Sequence, residues 1–355
     1  MNSAPHRSIA FVLNFVAVCS LVCAPAMGAD DPKNTVPNDF VEITPKQEEA
    51  AEKGLAWLAK NQAKDGSWGS EGSSGTYQMA MTGLAGLALL SAGHSPGRGK
   101  YGANVARAIE FVLKSQDRDG LISSRNDGQT MYGHGFAMTF LAEAYGMDSG
   151  TEFNERIKTA LALAVKKTNQ SQSSRGGWYY SPNSGADEGS VTVTQVQALR
   201  STRSAGIEVP EKLLANAIDY VKQCQNRDGG IRYSVQFGQT SSVALTAAGV
   251  TVFLMAGRYK AKEAEEAIGY LKKYLDPHRS AGGHDFYTHF YGAQAMFQIG
   301  GEYWARYFTS IRDRLLSSQR ADGGWNGDEI GSTYGTAIAV MILCMPNRYL
   351  PVFQR

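Results

Sequence analysis

The sequence predicts an all-α protein, an (α/α)6 toroid of six two-helix repeats, and three observations carry that reading. A turn element, Gln-x-x-x-Gly followed two residues later by Trp or Ile, ends the stretch Asn61–Trp68. It recurs at Gln116–Ile122, Gln172–Trp178, Gln225–Ile231 and Gln319–Trp325. Its glycines are Gly66, Gly120, Gly176, Gly229 and Gly323, spaced 54, 56, 53 and 94 residues apart. Gly282 divides the long interval into 53 and 41. Self-similarity at such a period marks a repeat architecture. The second observation is that each unit holds one charged, amphipathic helical pattern and one almost without charge. The third is length: the charge-free patterns run 13 to 17 residues, short of the roughly 20 that span a bilayer.

The charged patterns are Glu48–Lys60, Asn104–Lys114, Asn154–Lys167, Glu211–Gln223, Lys262–Tyr274 and Tyr303–Leu316. In the first, Ala51, Leu55 and Leu58 share a face and the charges lie elsewhere, which describes a helix with one wet side. The others are Tyr77–Ala92, Met131–Met147, Ser190–Ala205, Thr240–Ala256, Phe286–Ile299 and Thr333–Met345. A helix apolar all round is buried on every side. Alternation of the two kinds therefore predicts two concentric layers, with six outer helices in water and six inner helices against them and one another. Asp-Gly in the repeated element reads as a turn whose glycine takes the left-handed conformation that stops a helix. The glutamine amide is expected to bond carbonyls left over at the end of its own helix, and Trp68, Trp178 and Trp325 to fold back over the turn. Asp65, Asp119, Asp228 and Asp322 belong to these turns and are read as structural.

The chain has 355 residues, 43% hydrophobic and 19% charged, with a formal net charge of +2. That balance argues against a nucleic-acid partner. Residues 1–28 read as a signal peptide. Arg7 precedes an apolar run, Ile9 to Cys23, and Ala26-Met27-Gly28 offers small residues at a cleavage site. The expected protein is exported, periplasmic or extracellular, and is not an integral membrane protein once cleaved. Residues 29–44 read as a linker with Pro32 and Pro37, and 45–355 as the toroid. Cys224 and Cys344 fall in apolar helical patterns of different units and are expected as buried free thiols. Pro346–Arg355 reads as an extended tail, and Glu143 as reaching an edge or an ion pair.

The stretch Lys53–Trp68 resembles the QW repeat of squalene and oxidosqualene cyclases, and Arg107–Ile122, Ala217–Ile231 and Arg314–Trp325 are similar copies. The β subunits of protein prenyltransferases share that toroid. The resemblance spans the mature chain and implies six QW-type repeats around a cavity for an apolar or isoprenoid-like ligand. It does not bring a catalytic apparatus. The cyclases' Asp-x-Asp-Asp acid motif, the prenyltransferases' Asp-x-Cys zinc motif and the Gly-Cys-Gly-Glu-Gln thioester motif are all missing from the sequence. No cofactor or metal is expected, and enzyme activity is left open. A lipid or isoprenoid is the expected small-molecule partner. A protein-binding scaffold, or a polysaccharide lyase or hydrolase on the same fold, are the alternatives.

In a toroid the inner helices begin at one mouth, where free N–H groups and helix dipoles favour anionic groups. The candidate ligand-binding residues sit at these starts: Tyr77, Gln78, Tyr132, His134, Gln195, Tyr287, His289, Tyr291 and Tyr334. Asp285, His289 and His134 are the candidate catalytic residues. Asp285 and His289 are four apart on one helical face, which suits an orienter–base pair or two metal ligands. The competing reading makes Asp285 a cap and gives the histidines structural hydrogen bonds.

Overall fold

The computed structural model describes residues 41–72, 76–125, 127–147, 150–279 and 284–354. The expected signal segment, residues 29–40 of the linker and Gly282 of the fifth unit lie outside them. Among the described residues there are twelve α-helices and no β-strand beyond isolated bridges. They are α1 (Pro45–Lys60), α2 (Gln78–Ser91), α3 (Gly102–Lys114), α4 (Thr130–Ala144), α5 (Thr151–Ser171), α6 (Gly189–Ser204), α7 (Glu211–Gln223), α8 (Val243–Met255), α9 (Lys262–Tyr274), α10 (Asp285–Ile299), α11 (Gly301–Ser318) and α12 (Ser332–Cys344).

Even-numbered helices form the inner ring. Each touches the next, α2 to α4 and onward to α12, and α12 returns to α2. They are buried almost end to end, as their lack of charge requires. Odd-numbered helices lie outside and bury one stripe, such as Val105, Ala108, Ile109 and Val112 in α3. Each outer helix packs mainly on the inner helix before it: α3 on α2, α9 on α8, and α1 on α12.

The repeated turn joins the layers. Gly66 has φ +96°, and a Cβ there would lie 2.3 Å from the carbonyl oxygen of Arg107 in α3. Gly120, Gly176, Gly229 and Gly323 repeat both features against the next outer helix. The side chains divide the work differently from the sequence expectation. Gln62 Nε2 donates to Gly66 O at 2.9 Å and to Asn104 O of α3 at 3.0 Å. Its target is a carbonyl of the following outer helix, and not its own helix end. Gln116, Gln172 and Gln225 do the same, and Gln319 reaches Ala50 O of α1 at 2.9 Å, which closes the ring. The own-helix carbonyls are taken by tryptophan. The indole N–H groups of Trp68, Trp178 and Trp325 donate to Leu58, Thr168 and Leu315 O, each at 2.8 Å. Asp65, Asp119, Asp228 and Asp322 accept backbone N–H groups two residues on.

Two further expectations are corrected. The tail is not extended. It forms 3₁₀ turns at Met345–Asn347 and Pro351–Phe353 and buries Leu350, Val352 and Phe353. These apolar side chains gain more under the ring than in water. Glu143 reaches no ion pair or edge. It is buried and accepts from Val352 N at 3.3 Å, and burial pushes its carboxyl up to about 7. Cys224 and Cys344 are free and buried.

Candidate functional site

The inner helices begin around a cavity of about 490 Å3. One repeat position builds its wall. In α2, α4, α6, α8, α10 and α12 it holds Ala80, Tyr132, Ser190, Ala244, Tyr287 and Tyr334, and all six line the cavity. The space exists because three of the six are small. One helical turn deeper, Leu84, Phe136 and Ile338 form the floor with Phe290. Phe136 and Phe290 meet edge to face across the axis, 6.4 Å between centroids. Below them Gln197 Nε2 donates to Gln294 Oε1 at 2.5 Å, and Phe353 of the tail meets Phe290 edge on at 6.3 Å.

Loops complete the rim. Tyr180 and Tyr233 each lie two residues after the turn's Trp178 or Ile231, and their hydroxyls meet at 2.6 Å. Tyr77, Gln129, His284, Asp328 and Glu329 also line it. Three of the six helix starts, those of α2, α6 and α10, are not free for an anion, because acidic side chains already cap them. Asp127 Oδ2 accepts from Met79 N of α2 at 3.3 Å. Asp328 accepts from Phe286 N of α10 at 3.0 Å. Glu188 accepts from Ser190 N at 2.8 Å and Val191 N at 2.5 Å. These contacts offset the helix dipoles from within. Burial pushes Glu188 up to about 7 and Asp328 up to about 6. Glu188 also accepts from Ser190 Oγ at 2.6 Å, and Ser190 Oγ accepts from the Tyr132 hydroxyl. A hydroxyl chain thus runs from the buried carboxyl to the cavity wall.

The prenyltransferase α/α-toroid domain matches residues 38–214 and again 191–347. The chain belongs to this family. No curated protein matches it in sequence. Among solved structures, the toroid is similar to the apo form of the type II terpene cyclase MstE from Scytonema. Identity is 13%, coverage is 86% of this chain and 99% of the cyclase, and the TM-score is 0.58. A variant of that cyclase is known in complex with its geranylgeranyl dihydroxybenzoate substrate. The toroid is also similar to the GH76A α-1,6-mannanase of Salegentibacter sp. HEL1_6, at 9% identity, 85% and 99% coverage and a TM-score of 0.64. A third likeness is to the family 76 mannosidase Bt3792 of Bacteroides thetaiotaomicron, at 12%, 84% and 97%, and 0.61. At such identities these likenesses concern the fold.

Of the candidate residues, the toroid brings Tyr77, Tyr132, Tyr287 and Tyr334 to the cavity. The others point elsewhere. Gln78 bonds Ser67 Oγ and Ser124 Oγ in the loops. Gln195 is buried and donates to Met131 O at 2.7 Å. Tyr291 is buried beneath the floor, 3.5 Å from Thr194 Oγ1. His134 Nδ1 accepts from Ile122 N at 3.1 Å, and its Nε2 meets Thr168 Oγ1 at 3.0 Å. It occupies the place of Thr82, Thr192, Thr246 and Thr336, which accept the same turn N–H in other units. Asp285 and His289 do meet, at 3.7 Å, but on the outer side of α10. There His289 Nδ1 contacts the Tyr307 hydroxyl at 2.9 Å, and Arg314 bonds both Asp285 and His289 Nε2. A guanidinium occupies the place a metal would take. Among the described residues no three His, Cys, Asp or Glu side chains are grouped to hold a metal ion, and no helix is long and apolar enough to cross a membrane.

Tyr180, Tyr233, Phe136, Glu188 and Asp328 were not singled out by the sequence reading. The signal for the first two is the constant offset from the turn aromatic. For Glu188 it is an acid immediately ahead of a charge-free helical run.

Proposed function

We propose that this exported toroid binds an apolar, isoprenoid-like small molecule that carries no diphosphate. The observation behind the reading is the mouth cavity. It is lined by six tyrosines and two phenylalanines, and its size falls within the roughly 300–1,000 Å3 of small-molecule sites. The acidic caps on α2, α6 and α10 occupy amides that a diphosphate would need. The terpene cyclase likeness supports the choice of ligand by analogy of fold. The mannanase likeness points to a carbohydrate ligand, but Asp127 and Glu188 are spent on helix caps, and two phenylalanines close the cavity floor.

The test is native mass spectrometry of the secreted protein purified without detergent, followed by thermal shift with farnesol, geranylgeraniol and α-1,6-mannotriose. A retained mass removed by organic solvent, and stabilisation by the alcohols, are expected. Ala244→Trp, which fills the space beside Ser242 and Leu245, should abolish the shift. Stabilisation by mannotriose with none by the alcohols would overturn the reading.

A further inference from the structure

We infer that the cavity is selective for an organic cation, a quaternary or protonated ammonium borne on an apolar body. This rests on the reading of the same cavity as an apolar-ligand site and adds the sign of the ligand's charge.

No lysine or arginine is among the described residues that line the cavity. Arg175 and Arg314 are paired with carboxylates, Arg175 with Asp187 at 2.8 Å and Arg314 with Asp285. The lining is instead rich in phenol rings, whose π faces attract ammonium groups. On one side of the rim Asp328 and Glu329 add carboxylates. Asp328 is held at φ +48° and half-buried, a left-handed conformation uncommon outside glycine. The positive ends of α2, α6 and α10, which would repel a cation, face Asp127, Glu188 and Asp328. An anionic ligand would meet Asp328 and Glu329 with no lysine or arginine on the lining to receive it. A neutral ligand would draw nothing from either carboxylate.

The probes share one ten-carbon chain and differ in the head: decyltrimethylammonium, decanol and decyl sulfate. Each is titrated calorimetrically into the full toroid below its micelle concentration. The ammonium should bind at least about tenfold tighter than decanol, equivalent to about 1.4 kcal/mol, and the sulfate weakest. Asp328→Asn keeps an acceptor for Phe286 N and should bring the ammonium-to-alcohol ratio toward one. Tyr334→Leu should do so too, and serves if the first variant does not fold by circular dichroism. Decanol binding as tightly as the ammonium, or sulfate binding tightest, overturns the inference and leaves the apolar-site reading intact. Failure of all three probes to bind removes both.

Discussion

His134 shows how a side chain that looks catalytic becomes structural. It stands where four other inner helices carry threonine, and its Nδ1 accepts the Ile122 N–H. Nε2 then holds the proton and donates to Thr168 Oγ1. Burial lowers its pKa to about 4, so the ring is neutral at ordinary pH. His134→Ala should cost about 1–3 kcal/mol by stranding a buried N–H, and His134→Thr, which keeps an acceptor, should cost less. Urea denaturation of both variants checks the order. Glu143 gives a prediction with a pH axis. Its folded pKa, about 7, lies above the ordinary carboxylate value of 4.5. The folded state therefore holds a proton that the unfolded state releases in between. This contribution is complete below about pH 4.5 and is lost as pH rises through about 7. His134 and His289, both lowered to about 4, act oppositely, losing stability as pH falls from 6.5. Glu143→Gln isolates the carboxyl. Wild type should lose stability relative to this variant between pH 5 and pH 8, read as a difference in urea midpoints.

At the scale of the element, the repeated turn is a staple between neighbouring units. Gln319→Ala would leave Ala50 O and Gly323 O without this donor and should cost about 1–3 kcal/mol, measured by chemical denaturation. The turn itself was legible in the sequence because glycine at positive φ and the Trp two residues later are residue-specific demands. The glutamine's partner was not. It is a backbone carbonyl, supplied here by Asn104, Ala160, Leu213, Glu263 or Ala50, and a carbonyl leaves no mark on residue identity. The site divides in the same way. Tyr132, Tyr287 and Tyr334 announce themselves by type and place. Ala80, Ser190 and Ala244 matter through the volume they leave empty, which a search for reactive side chains passes over. Asp127 and Asp328 close the starts of α2 and α10 to an anion and are brought there only by the folded loops, whereas Glu188 directly precedes α6 and closes that start from its own chain position.

For the whole molecule, charge alternation was enough to read two layers, because burial of a charge-free helix has few solutions. The tail was not legible, its 3₁₀ turns being too short to show a period. Phe353 is 4% exposed and braced on Phe290. Phe353→Ala should cost about 3–5 kcal/mol and loosen the cavity floor, seen as weaker binding of apolar probes together with a lower melting temperature. The Gln319–Ala50 staple has a consequence of another kind. An open stack of helix pairs can gain a unit at either end and leave the rest undisturbed. A closed ring cannot, because a seventh pair would have to part α12 from α2 and reset every angle between neighbours. Growth by duplicating a single repeat is therefore barred. The seam is also held by the same kind of bond as the other four stapled joints, so nothing in the stapling sets it apart from them.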